Sequence, residues 1–149
     1  MWSLKTQERL HEWNGFRRII SNLSFDEAIL NTMHLWSYAP IVNHYLDKSE
    51  PTEWPTPWEL LRENKYDDTA KALGMLYTLF LSDHGSDHSF NLVQMKATSD
   101  LETYNIVNID SGKYILNYTF DEISTSEQLS KDLTTTNIYS PEDLHLTKY

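Results

Sequence analysis

The densest cluster of chemically capable side chains lies in S-D-H-G-S-D-H-S, residues 82–89, where Asp83, His84, Asp87 and His88 fall within six positions. Imidazole nitrogens and carboxylate oxygens suit zinc or another divalent transition metal, and a metal-dependent hydrolase is one function such a set would support. Turns also collect Asp, His and Ser for backbone reasons, and Gly85 marks this stretch as a polar turn. Nothing else in the sequence fixes a ligand geometry around these four residues, so they stand as weak candidates and no metal is assigned.

Other catalytic chemistry finds little footing. The chain has no cysteine, which removes disulfides, thiolate zinc sites and cysteine nucleophiles together. A serine hydrolase wants its nucleophile on a sharp glycine-flanked turn, and no G-x-S-x-G occurs. The four glycines, at 15, 74, 85 and 112, are too scattered to form a phosphate-cradling loop. His11, His34, His44 and His145 stand singly and read as surface or core histidines. No cofactor is expected.

The net charge of −10 argues against a protein that tracks a nucleic-acid backbone, because only 12 Lys and Arg are spread along the chain. Acid accumulates toward the end: Lys plus Arg against Asp plus Glu count 5 to 6 over residues 1–50, 4 to 8 over 51–100 and 3 to 8 over 101–149. No apolar run reaches the roughly 18 residues of a membrane span. The amino terminus, M-W-S-L-K-T-Q-E-R-L, lacks the layout of a signal peptide. Neither nucleic acid nor membrane is an expected partner, and the expected location is a cytoplasm or an assembly built there.

These residues need a scaffold, and its centre is Tyr66–Leu81, Y-D-D-T-A-K-A-L-G-M-L-Y-T-L-F-L. Polar in its first turn and apolar afterwards, with Ala70, Leu73, Tyr77 and Leu81 at spacings of three and four, it predicts a buried central helix. Asp67 and Asp68 sit in its first turn, where backbone N–H groups and the helix dipole favour negative charge. Before it, Leu10, Trp13, Phe16, Ile20 and Leu23 mark one face of a helix over Lys5–Leu23. Ser24-Phe25-Asp26-Glu27 has the form of a capping box that starts a second helix, ending near Tyr38 ahead of Pro40. Residues 39–56, with three prolines, form a connecting loop in which Ile41, Val42, Tyr45 and Leu46 need burial. Thr56-Pro57 opens a short helix to about Glu63. Trp54 and Trp58 flank these prolines as corner packing or as a stacking platform for a ligand.

Past the polar turn, three strands are predicted: Ser89–Ala97, Tyr104–Ile109 and Lys113–Phe120. Asp110-Ser111-Gly112 makes the last two an antiparallel hairpin. From Ser124 the pattern weakens to a capped turn at Ser126-Glu127 and isolated apolar residues, Ile138, Leu144 and Leu146, which need something to pack on. The fold class is therefore α+β in one domain of 149 residues: a helical part over 1–65, the central helix and a sheet of about three strands over 66–122, and an extension over 123–149.

The order of elements resembles the transglutaminase-like branch of the papain-type fold. In that family a cysteine nucleophile starts the central helix, a histidine opens a later strand, and an aspartate ends the next. E-T-Y-N-I-V-N-I-D-S-G-K-Y-I-L-N-Y-T-F-D-E, Glu102–Glu122, resembles the family pattern that begins H-A-W, passes through a D-G-K-W hairpin and ends D-P-T-F-D. On that match Glu102 takes the histidine's place, Asn117 the aspartate's, and Tyr66 or Asp67 the cysteine's. The resemblance implies a framework whose catalytic positions are all substituted, since these residues cannot reproduce an activated thiolate. The flanks L-W-S-Y-A-P-I-V-N-H-Y-L and E-W-P-T-P-W-E-L-L also look like small proteins of tailed phages.

The resulting expectation is a non-catalytic interaction or structural protein, placed in a virion if the chain is phage-encoded, with a protein partner or self-assembly carrying its function. Its five Trp, nine Tyr and five Phe exceed what one small core easily conceals. The alternatives are an acidic inhibitor or decoy directed at a basic partner, and the metal-dependent hydrolase described above.

Overall fold

Three of the four α-helices begin where a side chain accepts an otherwise unpaired N–H group, and the first, after Lys5, has no such cap. In a computed structural model that describes residues 1–144 and 146, the helices are α1 (Thr6–Ser21), α2 (Phe25–Ser37), α3 (Pro57–Glu63) and α4 (Asp68–Phe80). Ser24 Oγ accepts the Glu27 N–H at the start of α2, and Thr56 and Glu59 form a reciprocal capping box on α3, with Pro57 in its first turn. His145 lies outside the described residues. No described helix is long and apolar enough to cross a membrane.

The sheet that follows has five antiparallel strands, β1 (Phe90–Ala97), β2 (Thr103–Ile109), β3 (Tyr114–Thr119), β4 (Glu122–Ser124) and β5 (Leu133–Tyr139), in the order β4-β3-β2-β1-β5. This confirms the α+β class and the β2–β3 hairpin but corrects the expected three strands. β4 has only three residues and returns through a tight turn at Asp121, which has φ 54°. β5 comes from the carboxy-terminal extension, whose Leu144 and Leu146 are buried in the main core. Residues 39–56 are also packed less fully than expected, for Leu46 is buried but Ile41 is 71 % exposed.

Helices cover one face of the sheet. Leu92, Val107, Ile109 and Leu116 join the helical core, whereas Val93, Ile106 and Ile115 form a smaller cluster with Met95, Tyr104, Tyr118 and Leu129 on the other face. Within the helical layer, α1, α2 and α4 meet at one hydroxyl. Thr78 Oγ1 accepts the indole N–H of Trp13 (3.0 Å) and of Trp36 (2.9 Å), and donates to the Gly74 carbonyl (2.6 Å). A Cβ on Gly74 would lie 2.4 Å from the Trp36 ring, so glycine is what lets that indole rest on α4. Arg9 joins α1 to α3 by donating to the carbonyls of Leu61 (2.7 Å) and Arg62 (3.2 Å), the carboxy-terminal groups a short helix leaves unpaired.

Replacing Thr78 with Val keeps the shape and strands two buried indole donors. Urea denaturation should show a loss of about 2–4 kcal/mol, from the usual cost of unsatisfied buried groups. An unchanged midpoint would show that the two indoles find other acceptors.

Candidate functional site

The amino terminus of α4 is held by a carboxylate. Asp67, extended at φ −89° and ψ −173°, caps the helix through Oδ1, which accepts the Ala70 N–H at 2.9 Å. Its Oδ2 accepts the N–H groups of Tyr45 (3.0 Å) and Leu46 (2.9 Å) from the preceding loop. Asp67 is thereby committed to the backbone, and Asp68, the first residue of the helix, turns toward the sheet.

There Asp68 meets two asparagines. Its Oδ2 accepts the backbone and side-chain N–H of Asn105 on β2 at 3.3 and 3.2 Å. The Asn117 side-chain nitrogen, on β3, lies 3.0 Å from Asp68 Oδ1 and 2.8 Å from the Asn105 carbonyl. Asn117 reaches this position because its backbone is left-handed, φ 66°, where the β3–β4 register shifts between Ile115 and Thr119. Asparagine tolerates that conformation better than most residues.

The network continues across the sheet. Asn105 Oδ1 accepts from Gln94 Nε2 (3.2 Å), and Gln94 Oε1 accepts from Asn137 Nδ2 (3.0 Å). Gln94 pairs in register with Asn105 on one side and Asn137 on the other, so this is a straight row of amides over β5, β1 and β2 that ends on Asp68. Gln94 Nε2 also donates to the Lys48 carbonyl at 3.1 Å. Although Asp68 still meets solvent, the surrounding protein pushes its carboxyl above the usual value; the Asn105 and Asn117 hydrogen bonds and the Lys48 charge offset this only in part.

The positions singled out in the sequence divide around this site. Asn117 is part of it, and Asp67 stands beside it as the helix cap. Tyr66 is not in it: the residue is fully buried, its ring packs edge-on against Trp2 (5.1 Å) and Trp36 (5.2 Å), and its hydroxyl has no partner among the described residues. Glu102 is exposed just ahead of β2, after the left-handed Leu101 (φ 59°), and its carboxylate accepts the Tyr104 hydroxyl at 3.2 Å. The residue facing Asp68 from β2 is thus Asn105, three positions beyond the residue matched by pattern. A local signal marked it: Asn105, Val107 and Ile109 alternate onto the buried face, and Asn105 is the polar member of that series.

The aspartates and histidines of 83–88 do not converge. Asp83 and Asp87 are exposed, His84 Nε2 donates to the Ile20 carbonyl (2.9 Å), and His88 Nδ1 is 2.7 Å from Asp110 Oδ2. Among the described residues no three His, Asp or Glu side chains gather at metal-binding spacing. Trp54 and Trp58 do not form a common platform, for Trp54 is buried with its N–H on the Asp47 carbonyl (2.7 Å) while Trp58 lies against Trp13. A separate hollow of about 400 Å³ between residues 44–55 and α3 is lined by Asp47, Glu50, Glu53, Glu59 and Glu63.

No protein-family model matches the sequence, and neither does any curated protein. The fold does have counterparts among solved structures. Calcium-bound LapG of Legionella pneumophila superposes with a TM-score of 0.72 at 12 % identity, covering 94 % of this chain and 82 % of LapG. A second LapG structure gives 0.71 at 13 % identity, with 92 % and 80 % covered, and EGTA-treated LapG gives 0.71 at 13 %, with 95 % and 80 % covered. At these identities the likeness establishes the fold.

An acid whose folded pKa exceeds its unfolded one weakens the folded state once pH rises through the unfolded value, near 3.9 for aspartate, and the penalty levels off above the folded value. Carbon-13 titration should therefore find the Asp68 midpoint above about 3.9. The stability of the wild type relative to Asp68→Asn should fall over the same interval; a midpoint below that value would contradict the crowding inferred for this carboxylate.

Proposed function

We propose that this chain is a non-catalytic interaction protein built on a transglutaminase-like framework. The observation that carries this reading is what stands at the start of the central helix and on the strand pair that faces it. The start of the central helix holds Asp68, the following strand pair holds Asn105 and Asn117, and both side-chain amides donate to the Asp68 carboxylate. A nucleophile–base pair needs a group that gives up a proton, a neighbour that takes it and a third that orients the taker. A carboxylate braced by two amides offers none of that sequence of transfers, and the chain holds no thiol.

What such a framework retains is surface. Tyr38, Ile41 and Phe120 are 57, 71 and 66 % exposed. Tyr38 and Phe120 pack edge-on at 5.4 Å, and Ile41 bridges to Tyr66, two residues before Asp68. Aromatic and aliphatic groups exposed together are the usual centre of a protein contact. A second reading, an acidic inhibitor of a basic partner, is favoured by the carboxylate-lined hollow beside α3.

Restoring the family residues tests the degenerate-site reading. The combined variant Asp68→Cys, Asn105→His and Asn117→Asp should react with iodoacetamide at about pH 6 roughly tenfold faster than Asp68→Cys alone, because a neighbouring imidazolium stabilises a thiolate. Equal rates would mean that these positions do not share the family's geometry. For the interaction itself, light scattering on the purified chain and affinity capture from the source cells should reveal an oligomer or a stoichiometric partner; a monomer that retains none would count against the proposal.

A further inference from the structure

The cluster at residues 82–89 holds no gathered metal ligands, but its second histidine is built into a different arrangement at the far end of α4 from Asp68. His88 Nδ1 lies 2.7 Å from Asp110 Oδ2, and the other Asp110 oxygen accepts the Ser89 N–H at 3.0 Å, so the carboxylate is held from both sides. The Phe25 ring stacks on the imidazole with centroids 3.4 Å apart and planes within 4°. An aspartate fixed in this way keeps the proton on Nδ1 and leaves Nε2 as the atom the ring can offer to a ligand, the same orienting logic that serves catalytic histidines.

His88 lines a cavity of about 910 Å³ between the 3₁₀ turn at Asp83–Ser86, the start of β1 and the turn after β5. Phe80, Phe90 and Leu146 contribute apolar lining, and Ser86 and Ser140 add hydroxyls, that of Ser140 already donating to Asp143. This combination, an apolar hollow with a few convergent polar groups, is the usual form of a small-molecule site. No Lys or Arg is among its described lining residues, Glu142 is, and the chain carries a net charge of −10, so an anionic ligand would be repelled. A neutral Nε2 accepts a hydrogen bond rather than donating one.

We infer that this cavity binds a neutral, mainly apolar small molecule carrying one hydroxyl, a phenol or an alcohol, whose O–H donates to His88 Nε2. This site is independent of the Asp68 network and of the proposed loss of catalysis. Calorimetric titration of the full chain with 4-ethylphenol and with 4-ethylanisole, which has the same body but no donor, separates the hydrogen bond from apolar filling. The wild type should bind one 4-ethylphenol per chain about tenfold more tightly than 4-ethylanisole, the discrimination expected from one buried hydrogen bond. His88→Phe preserves a ring against Phe25 and should abolish that preference, while nitrogen-15 spectra of the wild type should show the His88 Nε2 resonance shifting with saturation. Circular dichroism verifies that the variant folds, and Asp110→Asn, which loosens the imidazole without removing it, should reduce the preference in the same direction. Absence of saturable binding, equal affinity for the two probes, or a preference undiminished in His88→Phe would each overturn the inference.

Discussion

The carboxylate of Asp67 sets the geometry on which the rest depends. One side chain accepts three backbone N–H groups, one from the first turn of α4 and two from the loop that precedes α3. Hydrogen bonds to an ionised acceptor are the stronger kind, and here they join segments more than twenty residues apart. Ile41 and Val42 run beside Tyr66 at the same place, with the Val42 N–H on the Tyr66 carbonyl at 3.1 Å. The helix must start where this joint puts it. With the Thr78 hydroxyl holding Trp13 and Trp36 further along, α4 is fixed in both position and rotation, and the direction in which Asp68 faces follows.

The row from Asn137 through Gln94 and Asn105 to Asp68 and Asn117 occupies a surface that binary patterning would fill with apolar side chains. Gln94 follows Phe90 and Leu92 on the inner face of β1, and Asn105 precedes Val107 and Ile109 on that of β2. Burying amides is costly unless their bonds are made, and these are made to one another across paired strands. A one-residue slip between β1 and β2 would break the row and expose their core residues, so it adds to the specification of register. Lys71 follows the same rule, its ammonium reaching the Ser37 carbonyl at 2.9 Å from within the helical layer.

What could be read from the chain alone was what local chemistry decides. Thr56-Pro57 announced α3 because a cap and a first-turn proline act within four residues, and Asp110-Ser111-Gly112 announced the hairpin because all three positions adopt positive φ. β5 was not legible: L-T-T-T-N-I-Y has no inward and outward alternation, since most of its side chains are exposed and it lies at the sheet's edge. Its pairing with β1 is a long-range fact. The site divided on the same line. Asn117 was reached through the hairpin pattern, Asn105 carried only the local mark of a polar residue in an apolar alternation, and Glu102 matched a family pattern from the exposed approach to β2. The histidines at 84 and 88 were conspicuous by spacing, yet the backbone sends one to α1 and the other to Asp110.

Asn117 shows how a main-chain choice restricts what chemistry a position can ever hold. Its left-handed twist admits glycine, asparagine and aspartate with little strain and opposes valine, isoleucine or threonine whatever they might contribute. Asparagine and aspartate have nearly the same outline and differ in charge. The backbone therefore permits exchange between a donor amide and an anion here while resisting most other residues, and the handedness of one peptide unit limits the vocabulary of side chains open to this corner of the protein.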